Sequence, residues 1–394
     1  MRWKWLLPAL LTLLIVGCGP NKKPTQKEAA ARQWSEARAS VLYGLAKDQY
    51  KNAQFDLCRA TLNDALKLAP ENVPLRILSA RLAIEQGQLE IADHELSAAR
   101  KIDPKNAEAD YLSGVIYQRW QKPETAYEYY HSAAEKQPAE LAYVMAKSEM
   151  LVAMNRENEA LTFLQGKVIY FEHSAVIRDA VGQLLVHQGK YKDGADMLRE
   201  ASILSPDDLS IREHLSLALY LAQQYRDAAE QLTKLTADEH YAKRGDLLLT
   251  LGECQMQAGD TRAARQSFES ATQIDPNMAS AWLSFGRVAL QMNDLRRAET
   301  AARKVSALDP GNAQAQLLIG YVRLHEGKVN DALSAFRKAS ALDENDTVSL
   351  CMIGYTMEKM GRSDQAVSYY AQALKIKPND ELASKLLAAV EVKP

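Results

Sequence analysis

Residues 276–310 read PNMASAWLSFGRVALQMNDLRRAETAARKVSALDP, and the two prolines that enclose the stretch stand 34 residues apart. The same step recurs along the chain. Pro70, Pro104, Pro138, Pro206, Pro276, Pro310 and Pro378 are separated by 34, 34, 68, 70, 34 and 68 residues. Two gaps are double steps lacking the middle proline, and the 70 is a double step plus two. A fixed period of this size marks a repeat array, in which each unit buries its apolar face on its neighbours.

With each proline or its substitute taken as zero, the marks fall at 36, 70, 104, 138, 172, 206, 242, 276, 310 and 344. Ten residues on, every position is small, from Ala46 and Ala80 to Gly320 and Gly354. Twenty-two on, every position is again small, from Cys58 and Ala92 to Ala332 and Ala366. Two helices approach closely only where side chains nearly vanish, so these positions mark crossings. Large apolar residues recur at +26, among them Leu96, Tyr130, Phe268, Phe336 and Tyr370. At +17 stand Gly87, Asn155, Gly189, Gly259, Asn293, Gly327 and Gly361, residue types that tolerate the left-handed backbone ending a helix. Proline at zero stops the next helix. The unit is helix, tight turn, helix, proline.

This unit resembles the tetratricopeptide repeat (TPR). Trp282, Phe285, Gly286, Ala298 and Pro310 carry the resemblance in the eighth repeat, and Gly320, Ala332, Phe336 and Ala339 in the ninth. It covers about 39–380 as about ten repeats and implies an all-α, right-handed superhelical solenoid. Departures lie in the middle: Glu172 replaces proline, Lys167 and Leu235 replace small residues, and two extra residues fall near 238–244. That slip predicts a longer loop or bend, with six repeats before it and four after, and a hinge between them. Leu382, Leu386, Leu387 and Val390 predict a capping helix over 381–394, with Glu381 and Lys385 facing away.

At the other end, Arg2 and Lys4 precede an apolar run from Trp5 to Val16, too short for a comfortable membrane span. Ile15-Val16-Gly17-Cys18 resembles a bacterial lipobox. The resemblance implies a signal peptide over 1–17, lipidation of Cys18, and palmitate among the acyl chains. It further implies a periplasm-facing protein held on the envelope, with Gly19 matching the outer-membrane-sorted type. Residues 18–38 form the lipidated tether and the start of the first helix, opened by a capping box of Thr25 and Glu28.

The whole chain has a formal charge of −2; removing Arg2 and Lys4 leaves −4. Nothing in that balance points to nucleic acid. Cys58, Cys254 and Cys351 are too few and too far apart for a disulfide framework. The sequence holds no phosphate-binding glycine loop, no metal-ligand spacing and no nucleophile motif. No enzyme, cofactor, metal site or small-molecule substrate is therefore expected.

The remaining surface is the groove that TPR first helices line. Carried onto this sequence it gives Tyr43, Lys47, Arg81, Tyr111, Arg119, Arg287, Tyr321 and Tyr355 as ligand-groove residues, with Tyr50, Ile77, Leu317 and Cys351 among the flanking positions. Tyrosine and arginine carry much of the energy of protein interfaces. The wall reads basic and aromatic, then acidic, then mixed. The lysine–asparagine set of TPRs that clamp a terminal carboxylate is absent from the matching positions. Val168-Ile169-Tyr170-Phe171 reads as the end of a second helix packed on the next repeat, with an exposed partner patch as the alternative. The expected role is a lipid-anchored periplasmic scaffold. It would bind proteins or peptides on a concave face and support an envelope complex (pilus, polysaccharide export or peptidoglycan enzymes). The alternative is an adaptor that regulates a docked cell-wall hydrolase or protease.

Overall fold

The computed structural model describes residues 25–391. The signal peptide, Cys18 and most of the tether lie outside the described residues, as do the last three of the expected capping segment. The described residues are all-α, with 21 helices and no strand. The chain divides between Ala160 and Leu161 into two compact units.

The first unit holds α1 (Gln26–Lys51), α2 (Phe55–Leu68), α3 (Val73–Glu85), α4 (Leu89–Ile102), α5 (Ala107–Arg119), α6 (Pro123–Lys136) and α7 (Leu141–Ala153). The boundary falls inside α8 (Glu157–Val168). The second unit continues with α9 (Ala175–His187), α10 (Tyr191–Leu204), α11 (Leu209–Leu221), α12 (Tyr225–Thr236), α13 (Gly245–Gln257), α14 (Thr261–Ile274) and α15 (Ala279–Gln291). It ends with α16 (Leu295–Leu308), α17 (Ala313–His325), α18 (Val329–Leu342), α19 (Thr347–Lys359), α20 (Ser363–Ile376) and α21 (Glu381–Glu391). The odd-numbered helices α1 to α19 are the first members of TPR-like pairs, and within each unit successive helices pack on one another in chain order.

Each pair turns on one left-handed residue. Gly87, Gly189, Gly259, Gly327 and Gly361 have φ between 71° and 88°, and Asn155 and Asn293 lie at 58° and 59°. Ala53, Gln121 and Gln223 adopt the same conformation at φ 56–58°, without the residue types that announce it. The turn is thus imposed by the packing of the two helices, at a local cost of about 1–2 kcal/mol per non-glycine residue.

The small residues at +10 meet the large ones at +26. A methyl group added at Gly114, Gly252, Gly320 or Gly354 would overlap the ring of Tyr130, Phe268, Phe336 or Tyr370 respectively. All four rings are buried. Where +10 is Ala or Ser, the +26 residue is the narrower leucine: Ala46 with Leu62, Ala80 with Leu96, Ser148 with Leu164, Ser216 with Leu232.

Between repeats, the connections 69–72, 103–106, 137–140, 205–208, 275–278, 309–312, 343–346 and 377–380 have four residues each. Two are longer: 169–174 has six and 237–244 has eight. Asn72, Asn106, Asp208, Asn312, Asp346 and Asp380 close four-residue connections by accepting backbone N–H bonds from the helix they open. Each short connection has proline at zero, such a cap at +2, or both. The two long ones have neither: Glu172 with Ser174, and Ala242 with Arg244. Ser174 and Arg244 make no side-chain cap.

The two-residue slip is absorbed in the longer loop. Tyr241 from that loop packs on the core formed by Leu219, Leu232, Leu235, Leu247 and Leu251, and α12 packs on α13 as other neighbours do. The division between compact units lies elsewhere, at 160/161. Two expectations are corrected. Of the run Val168–Phe171 only Val168 belongs to α8, and Ile169 and Tyr170 are not packed but 76% and 78% exposed, as the alternative of an exposed patch has it. On α21 the residue fully buried against α19 and α20 is Ala383, while Leu382 is exposed; Leu386, Leu387 and Val390 are partly buried on the same side.

Candidate functional site

First helices touch one another as well as their partners. In the first unit α3 contacts both α1 and α5; in the second, α9 contacts α11, α15 contacts both α13 and α17, and α19 contacts α21. No second helices meet to a comparable extent among the described residues. The first-helix layer is thus the more closely spaced side of each unit.

On that layer the first unit carries a cleft of about 470 Å³. Its walls are Tyr43, Lys47, Tyr50 and Lys51 of α1, Pro74, Ile77, Leu78 and Arg81 of α3, and Asn106 and Glu108 before and on α5. Helical spacing explains the α1 set, since positions 43, 47, 50 and 51 lie on one side of a 3.6-residue helix. Ile77 and Leu78 are buried and form an apolar floor. Arg81 donates from Nε to Glu108 Oε1 at 2.8 Å, bridging α3 and α5. Asn106 is held by its own cap, its Oδ1 accepting from Ala109 N at 2.9 Å. The Tyr50 hydroxyl pKa is raised by burial and then by nearby Glu85. Lys47 and Lys51 form no ion pair among the described residues, so the cleft presents two free ammonium groups beside two tyrosine rings.

Of the eight groove residues expected from sequence, Tyr43, Lys47 and Arg81 meet in this cleft. Arg287 lies in a smaller one of about 310 Å³ with Tyr220, Tyr225 and Glu253, and its Nη2 donates to Gln314 Oε1 at 2.7 Å. The others are drawn into packing. Tyr111 sits between the rings of Tyr143 and Tyr130, at 4.9 and 5.6 Å between centroids. Arg119 donates to the Ile84 carbonyl at 2.8 Å. Tyr321 meets the ring of Phe336 edge-on at 5.5 Å. Tyr355 packs beside the core of the last repeats, with the Lys359 ammonium 5.4 Å from its ring centre. Among the flanking positions, Ile77, Leu317 and Cys351 are core residues. Lys51 and Asn106 were missed: the first lies in the final turn of α1, the second in a cap, and neither falls on the repeating groove positions.

The second unit lines the same layer differently. Asp179 on α9 accepts from Gln183 Nε2 at 2.7 Å and lies 2.8 Å from His214 Nδ1. Arg244 bridges Glu213 and Asp246 at 3.2 and 2.6 Å. Tyr220 donates its hydroxyl to Glu253 at 2.9 Å, and this bond, with burial, pushes the phenol up to about 12. In the second unit the carboxylates Asp179, Glu213 and Glu253 are therefore each paired.

Cys58, Cys254 and Cys351 are fully buried. Burial pushes the Cys254 and Cys351 thiols up to about 12, the opposite of what a nucleophile needs. No group of three His, Cys, Asp or Glu residues is placed to hold a metal among the described residues, and no helix there is long and apolar enough to cross a membrane.

A family model described as the C-terminal domain of cilia and flagella-associated protein 70, a TPR domain, matches residues 234–394. The chain is 23% identical over 222 residues to the BBSome complex member BBS4 of Bos taurus, covering 56% of this chain and 42% of that one. It is 31% identical over 106 residues to anaphase-promoting complex subunit 3 of Dictyostelium discoideum, covering 27% of this chain and 11% of that one. The chain thus spans less than half the length of either relative. Among solved structures, the APC/C hetero-tetramer Cut9–Hcn1 aligns with 90% of this chain and 96% of its own, at 14% identity and a TM-score of 0.45.

Proposed function

We propose that this protein is a non-catalytic scaffold that holds an extended, acidic segment of a partner protein on the first-helix layer of its first unit. The observation that carries the reading is the cleft of Tyr43, Lys47, Tyr50, Lys51 and Arg81, in which two cations have no acidic partner of their own. Exposed ammonium groups with no acidic partner favour carboxylate side chains, and an apolar floor favours alternating apolar ones. The relatives carry the names of subunits of multiprotein complexes, which accords with a binding role. The lipobox-like stretch ending at Cys18 supports a place on the envelope, where such a scaffold would help assemble or localise a larger machine.

A fluorescent peptide alternating Glu and Leu is the probe. Binding should weaken with salt and fall at least about tenfold on Lys47→Glu with Lys51→Glu, equivalent to about 1.4 kcal/mol or more. Equal binding by that variant would place the partner elsewhere. Cys18→Ser should release the protein from membranes, and continued membrane association would remove the lipid anchor from the proposal.

A further inference from the structure

The exposed flank of α1 beside the cleft carries a second surface. α1 has 26 residues, whereas α3, α5 and α7 have 13 each. Residues 26–34 are exposed on every side of the helix. Trp34, Val41 and Leu45 are 70%, 74% and 49% exposed. Val41 stands five residues past its zero mark, and that position is buried in each of the nine repeats that follow, from Leu75 and Ala109 to Ala315 and Ser349. There the preceding second helix covers it: Leu75 shares a core with Leu62 and Ala65 of α2.

The exposed stripe has an internal order. Lys27, Ala30, Trp34, Ala37, Val41, Gly44 and Asp48 alternate at spacings of three and four, the seam of a two-helix coiled coil. Helices draw most of their stability from packing of such a face. The seam opens with a cation and closes with an anion, and neither Lys27 nor Asp48 has an ion-pair partner among the described residues. A membrane-facing stripe would favour cations at both ends. A parallel partner copy would set Lys27 on Lys27 and Asp48 on Asp48. An antiparallel copy, with its two-fold axis between Ala37 and Arg38, sets Lys27 against Asp48, Ala30 against Leu45 and Trp34 against Val41, twice over.

We infer that the protein self-associates through α1 as an antiparallel, two-fold symmetric dimer. The full chain carrying Cys18→Ser, which keeps acyl chains out of the measurement, is examined by sedimentation velocity across the micromolar range. A dimer is expected. Trp34→Asp with Val41→Asp should give a monomer, with circular dichroism showing that the array still folds. Lys27→Asp or Asp48→Lys alone should weaken association about three- to tenfold, and the two together should restore it. Ala37→Cys, near the axis, should form a disulfide-linked dimer under mild oxidation, and Lys27→Cys alone should not. A monomer throughout, or a dimer indifferent to Trp34 and Val41, overturns the proposal. So does a monomeric chain that binds anionic vesicles through Trp34.

Discussion

The first-helix layers of the two units use the same backbone and treat charge in opposite ways. In the second unit His214 reaches Asp179, Arg244 reaches Glu213, and Tyr220 reaches Glu253, each to the neighbouring first helix. Arg287 of the second unit reaches Gln314, 27 residues on, and in the first unit Arg81 makes the same step to Glu108. The position 27 residues beyond Lys47 is Pro74, which offers no side-chain acceptor. Lys47 is left free by the identity of a residue on the next helix. A groove becomes receptive where the repeat-to-repeat partner is missing, and closed where it is present.

The largest test of this contrast is binding. Reversing Lys47 and Lys51 should cost the acidic probe at least about tenfold in affinity, while Arg244→Glu in the second unit should leave it unchanged. Loss of binding from Arg244→Glu would erase the distinction. Next comes packing. Gly320→Ala in the second unit must displace the buried Phe336 ring, and thermal or denaturant unfolding should show a loss of about 1–3 kcal/mol. Adding Phe336→Leu should recover part of it. Gly44→Ala in the first unit meets no atom within 4 Å and should instead stabilise α1 by about 0.8–1 kcal/mol.

A smaller effect compares turns across the units. Gln121→Gly in the first and Gln223→Gly in the second should each stabilise by about 0.5–1 kcal/mol, because both residues hold a left-handed φ that glycine adopts without strain. A loss from either substitution would mean that the side chain compensates locally. The smallest effect is the pH response of the second unit. The hydrogen bond to Asp179 raises the His214 pKa above its ordinary 6.5. A raised folded value means that the pair's contribution is fully present below about pH 6.5 and is lost as pH rises through the folded pKa. Because the imidazole is partly exposed, a few tenths of a kcal/mol is expected. Comparing wild type with His214→Gln between pH 5 and 8 should show a difference that shrinks as pH rises.

The repeat was legible because its signals are local. Gly114, Gly252, Gly320 and Gly354 announce their ring partners through a fixed spacing, and Pro70 or Asp346 announces a short connection from within it. The long connections were also present in the sequence, as the joint lack of proline at zero and of a cap at +2 at 172–174 and 242–244. The left-handed turns at Ala53, Gln121 and Gln223 were not, since packing overrides the residue there. Half of the expected groove was legible only as a set of positions. Tyr111 and Tyr321 stand where binding residues stand, yet neighbouring rings take their faces.

By itself the sequence determined the period, the helix pairs and the crossings, because these arise from contacts within a repeat or with the next one. Which side chains remain free for a partner was decided by the tertiary structure. A charge is satisfied or left open by the residue that packing places beside it about one repeat away. For Lys47 the proline at 74 left it open; for His214 the carboxylate at 179 closed it.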